Sequence, residues 1–186
     1  MSQPILKSGV RILRPSEYEL LQAGKRDETE GVHMEAALLL AMRYIEMQRF
    51  QDNRPWFDPV TGFVFLPKTA VLKSKRHQLE RWVKLSERGR GIMPLFLKGR
   101  KLPSWQTWDD RLKAAAIRSG LDPIGLGSKT MRKTYESWLM VSYPERSAQI
   151  AMRQGHDELT QLRHYLNMPF VSEDIAAIKP YVEGLF

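Results

Sequence analysis

Three groups of basic side chains stand where a cation is costly or out of place, and each could hold an anion. Arg43 falls in the apolar run AALLLAMRYIEM. A guanidinium in a core helix is unfavourable unless it is paired or faces an anion. Either Glu46, three residues on and on the same helical face, takes it as a salt bridge, or the site presents it to a ligand. Lys129, Arg132 and Lys133 fall in the first turns of a helix expected from Ser128, where cations work against the helix dipole. An anion held at that helix end, phosphate above all, would account for them; a surface cap with loose lysines is the plain alternative. The third group, Lys73-Ser74-Lys75-Arg76-His77-Gln78, is a charged hairpin or a solvated turn. Arginine suits phosphate because its planar fork gives two parallel hydrogen bonds and keeps its charge. The chemistry these residue types permit is therefore phosphate binding.

The elements that would position them follow from the periodicity. Arg14 to Leu21 reads as a helix start, with Ser16 as a cap and acids in the first turn. Gly24 to Gly31 reads as a polar loop. The spacing then predicts one long, buried helix from His33 to Arg49, broken by Pro55 to Pro59. Gly62 to Pro67, Ala70 to Lys73 and Arg81 to Leu85 read as strands of a small antiparallel sheet around the basic segment. Gly99 to Trp105 is a loop, Trp108 to Ser119 a helix ended near Gly120, and Leu121 to Gly127 a linker. A helix begins with Ser128 as its cap. Short helices are expected over Ser147 to Arg153 and Thr160 to Asn167, around the turn Gly155-His156. Ser172 to Phe186 has Ile175, Ile178 and Val182 at helical spacing. It could pack on its own core or on a neighbour. The expected fold class is mainly α with a small antiparallel β-sheet (α+β).

The chain has 186 residues, enough for one domain with a sizeable core. Its 29 Lys and Arg against 21 Asp and Glu give a net charge of +8, which favours an anionic partner. The absence of cysteine excludes disulfides and thiolate metal sites. No pair of histidines has metal-ligand spacing with carboxylates, so neither a metal nor a cofactor is expected. The longest apolar run is too short to span a bilayer, and the N-terminus lacks a signal-peptide core. A cytoplasmic protein without membrane association is the expectation.

Taken together, the order and spacing of these residues resemble the catalytic domain of the tyrosine recombinase (phage integrase) family. Ala41-Met42-Arg43-Tyr44-Ile45-Glu46 is similar to that family's first arginine box. The basic hairpin follows, as the family's strand-borne lysine does. Lys129 lies three residues before Arg132, His156 follows 24 after it, and Tyr165 nine after that. The resemblance covers about Arg11 to Phe186 and includes the opening Arg11-x-Leu13-x-Pro15-Ser16-Glu17. Two departures stand out. Lysine replaces the family's usual histidine at position 129, which leans towards archaeal and archaeal-virus members. Too little chain precedes Arg11 for the helical DNA-clamping domain the family usually carries, which points to an isolated catalytic domain or a minimal protein.

The resemblance implies DNA integration and recombination chemistry. Tyr165 would attack the scissile phosphate and form a 3′-phosphotyrosine, with Arg43 and Arg132 on the non-bridging oxygens. Lys75 is the candidate acid for the leaving 5′ oxygen, with Lys73 its competitor, since strand alternation puts both on one face. Lys129 and His156 would add hydrogen bonds to the phosphate. Glu46 would orient Arg43 or another active-site cation. The domain plan is a flexible lead-in over 1–10, the catalytic domain over 11–171, and a C-terminal helical segment over 172–186 that docks in a neighbouring subunit. The partners implied are double-stranded DNA, at the nucleoid or in the host cell of a virus, and further copies of the chain, up to a tetramer on DNA. A DNA-binding regulator without catalysis and a type IB topoisomerase-like enzyme are the alternatives.

Overall fold

The computed structural model describes residues 3–70, 80–155 and 168–186. It is mainly helical, with two small antiparallel sheets, and belongs to the α+β class. Among the described residues no helix is long and apolar enough to cross a membrane.

Order begins earlier than the lead-in expected over residues 1–10. Strands β1 (Ile5–Lys7) and β2 (Val10–Ile12) form an antiparallel hairpin, with Ile5 opposite Ile12. Ile5 and Ile12 are buried, so the hairpin is fixed by core contacts. Helix α1 (Pro15–Ala23) starts one residue before the expected cap. Pro15 occupies the first turn, where its missing N–H costs nothing. The Glu17 carboxylate accepts the Arg14 backbone N–H at 2.9 Å, so Glu17 does the work expected of Ser16. Arg11 is buried against the same carboxylate at 2.7 Å.

The largest departure from expectation is the second helix. Helix α2 (Glu28–Leu40) begins inside the expected polar loop, because Asp27 caps it by accepting the Glu30 N–H. It ends well before Arg49. Ala41 takes a left-handed φ of 50°, and helix α3 (Tyr44–Asp52) starts afresh after Arg43. Apolar side chains continue across the break, since Ala41, Met42, Tyr44 and Met47 are all buried. The hydrophobic pattern therefore carries no trace of it.

A three-stranded sheet follows, β3 (Phe57–Asp58), β4 (Phe63–Leu66) and β5 (Arg81–Lys84), in that order. Val64 pairs with Val83 and Leu66 with Arg81, and these four side chains are buried. Of the strand expected over Ala70 to Lys73, Ala70 instead ends a 3₁₀ turn, and 71–73 lie outside the described residues.

Helix α4 (Glu87–Lys98), to which the sequence reading assigned nothing, is capped by Ser86, whose hydroxyl accepts the Gly89 N–H. Helix α5 is Trp105–Arg118, and Gly120 follows it at φ 74°. Helix α6 (Thr130–Ser142) starts one residue later than expected, with Lys129 rather than Ser128 at its cap position. The Asp109 carboxylate lies against Gly127, just before this start. Thr130 Oγ1 instead accepts the Gly127 N–H at 3.0 Å. Helix α7 is Ser147–Gln154, closed by Gly155 at φ 66°.

Helices α2 and α6 run through the core. Most of their side chains are buried. The last helix, α8 (Ser172–Val182), packs on this chain's own core. Tyr181 meets Trp138 and Tyr18 edge-on, at ring distances of 5.0 and 5.7 Å. Asp174 ion-pairs with Arg14 at 2.5 Å.

Candidate anion site

The break between α2 and α3 creates the site. A helix leaves its last carbonyls without intrahelical partners, and its C-terminus carries partial negative charge. At the end of α2, Leu39 O accepts Arg153 Nη2 at 3.0 Å, and Ala41 O accepts Arg132 Nη1 at 3.1 Å. The end of α7 arrives at the same place. Gln154 O accepts Arg132 Nη2, and Arg153 O accepts Arg81 Nε at 3.0 Å. Two helix C-termini thus hold three guanidiniums.

Glu46 gathers the cations. As the third residue of α3 it reaches back to cap the helix, accepting the Arg43 N–H at 2.9 Å. Its other oxygen accepts Arg43 Nη1 at 2.9 Å. Arg81 binds it in a two-pronged fork, Nη1 at 3.1 Å and Nη2 at 2.6 Å. Arg132 Nη1 lies 4.0 Å from the same carboxylate. The Arg153 guanidinium sits 5.3 Å from the centre of the Tyr135 ring.

The electrostatics follow from this packing. Glu46 is fully buried, which by itself would raise its pKa. The Arg81 hydrogen bonds and the charges of Arg81, Arg132 and Arg43 outweigh burial and lower it to about 2. Burial pushes Arg132 down to about 10; Glu136 and Glu46 oppose that, and Arg43 and Arg81 add to it. It keeps its charge at neutral pH. Burial also lowers Arg153. Four guanidiniums therefore crowd around two buried carboxylates, Glu46 and Glu136, with helix carbonyls making up part of the difference. Arg81, Arg132 and Arg153 are each less than a tenth exposed; the Arg43 side chain, at 22%, is the most open. Arg43 is thus the member of the cluster most open to a partner from solvent.

Of the residues singled out from sequence, Arg43, Glu46 and Arg132 come together here. Arg43 pairs with Glu46, as the salt-bridge reading expects, and it borders a cluster with more cations than carboxylates. Arg43 is not in the middle of a helix, however, but at the N-cap of α3. Lys129 is exposed at the start of α6, one turn before Arg132. Lys133 turns away and donates to Lys7 O at 3.1 Å. Lys73, Lys75, His156 and Tyr165 lie outside the described residues.

Arg81 and Arg153 went unnoticed in the sequence reading. Each had a signal. Arg81 shares the inward face of its strand with Val83, and Arg153 shares the buried face of α7 with Ile150. A cation in an apolar register asks for a buried partner. Among the described residues no three His, Asp or Glu side chains group as metal ligands. No protein-family model matches the chain, and no curated protein matches it.

Proposed function

We propose that the chain is a DNA strand-transfer domain of the tyrosine recombinase type, with the corresponding catalytic-domain fold. The observation that carries this reading is the meeting of Arg43 and Arg132, 89 residues apart in sequence, at one buried carboxylate among two further arginines. Phosphoryl transfer depends on positioning and on charge neutralisation at the phosphate. A cluster fixed by helix ends and Glu46 meets both needs before substrate arrives.

In this reading the scissile phosphate takes up donors of Arg43 and Arg132, and Lys129 and His156 add hydrogen bonds. The Tyr165 oxygen bonds to phosphorus and the bond to the 5′ oxygen breaks. The phenol's proton passes to solvent, and Lys75 (or Lys73) delivers its own to the departing oxygen. The phosphotyrosine ester conserves the energy of the phosphodiester, so a 5′-hydroxyl can attack it and rejoin the strand without nucleotide hydrolysis. Arg81 is a positioning residue, holding Glu46 and through it Arg43. The DNA partner is a duplex, and exchange between two sites calls for several copies of the chain.

The test separates binding from chemistry. Nicked duplex DNA is given to the wild type, Arg132→Ala and Arg43→Ala, and strand cleavage and duplex affinity are measured. Cleavage should fall about a hundredfold or more, the usual effect of removing a donor that stabilises developing charge, with duplex affinity falling much less. Cleavage at wild-type rates by both variants would refute the assignment.

A further inference from the structure

The three-stranded sheet has a second face that the strand-transfer reading does not use. Side chains alternate along a strand, so the register that turns Arg81 and Val83 inward turns Trp82 and Lys84 outward. On β4 the same rule turns Phe63 and Phe65 outward, opposite Lys84 and Trp82 respectively. Three aromatic rings consequently meet on the outer surface. Phe65 and Trp82 lie 4.7 Å apart between centroids at 42°, and Phe63 stands edge-on to Trp82 at 6.3 Å. Trp82 is 59% exposed, and the two phenylalanines are half-buried.

Two lysines stand at the edges of this surface. Lys84 is the cross-strand neighbour of Phe63. Lys68 is exposed just past the end of β4. One acid on the face, Asp58, is engaged locally, accepting from the Val60 N–H at 2.9 Å and the Thr61 hydroxyl at 2.6 Å. Glu80, beyond the start of β5, is the other. Flat rings with cations at their edge match a partner that alternates π faces with negative charge. That description fits unpaired nucleotides, whose bases stack on aromatics in a largely sequence-tolerant way while their phosphates meet Lys and Arg. A lipid surface is a poorer fit, because these rings lie against one another on a pleated sheet instead of projecting from a loop.

We infer that the outer face of the β3–β4–β5 sheet is a stacking platform for single-stranded nucleic acid, with bases on Phe65 and Trp82 and a phosphate on Lys84. It lies on the opposite side of β5 from the arginine centre, and it is a binding activity separate from duplex cleavage.

Short labelled oligothymidylate, oligouridylate and a duplex of equal length are titrated with the full chain by fluorescence anisotropy. Trp82→Ala should weaken single-strand binding about tenfold, within the range for one stacked base, and leave duplex binding unchanged. Trp82→Phe should restore most of it, since any π face serves; this also answers a loss caused by misfolding. The tighter of the two single strands identifies DNA or RNA as the natural source. Unchanged single-strand affinity in Trp82→Ala would overturn the inference. So would an equal loss for the duplex, or a wild-type patch whose measurable role is self-association or binding to anionic phospholipid vesicles. These outcomes are read without cleavage, so they stand apart from the fate of the strand-transfer reading.

Discussion

Glu46 is the residue on which the candidate site turns. Its folded pKa of about 2 lies below the ordinary carboxylate value of 4.5. A depressed carboxylate stabilises the fold above its unfolded pKa, and that stability is lost as pH falls through the folded one. For Glu46 the window runs from about 4.5 down to about 2 and is worth about 3 kcal/mol. In urea unfolding, the wild type should lose about that much more stability than Glu46→Gln between neutral pH and the bottom of the window. At neutral pH Glu46→Gln should itself cost about 3 kcal/mol, because it leaves the buried Arg81 and the half-buried Arg43 without their counter-charge. Parallel pH profiles for the two proteins would contradict this account of the centre.

The element that matters most is the α2–α3 junction. Three of its features act together: the left-handed Ala41, the freed carbonyls of Leu39 and Ala41, and Arg43 at the new helix start. A left-handed φ costs a non-glycine residue about 1 kcal/mol, and more for a β-branched one. Ala41→Val should therefore lower the free energy of unfolding by more than about 1 kcal/mol. Ala41→Gly should be close to neutral, since relief of strain offsets the added freedom of the unfolded chain. Equal effects of the two in chemical denaturation would rule out the junction as described. None of this was legible beforehand. Alanine is the best helix former, and the apolar pattern runs unbroken through the junction, so sequence periodicity reads one helix. Strands β4 and β5 and helices α5, α7 and α8 were legible, because their alternation or helical spacing and their glycine or proline boundaries agree. The cap positions of α1 and α6 were missed by one or two residues. Glu17, reaching back from inside α1, and Thr130, taking the Gly127 N–H, settle the local competition there.

At the scale of the whole molecule, distant segments deliver cations to one point. Arg43 comes from the first half of the chain, Arg81 from the sheet, and Arg132 and Arg153 from the second half. Arg43 and Arg132 were paired beforehand by the family resemblance alone; Arg81 and Arg153 join them only through the packing of α7 against β5 and α6. The tail helix α8 closes the other side of α6, with Tyr135 donating to Tyr181 O at 2.9 Å. The net charge of +8 favours a polyanionic partner at large, and in the proposed reading the arginine cluster holds one of its phosphates. The claim that this phosphate is cut by Tyr165 is tested most directly with a suicide substrate, a duplex nicked so that the released strand end diffuses away. The wild type should form a covalent protein–DNA adduct that survives a denaturing gel, linked through Tyr165 to a 3′-phosphate, and Tyr165→Phe should bind the duplex and form none. An adduct formed equally by Tyr165→Phe, or a wild type that binds the duplex and forms no adduct, would contradict the account.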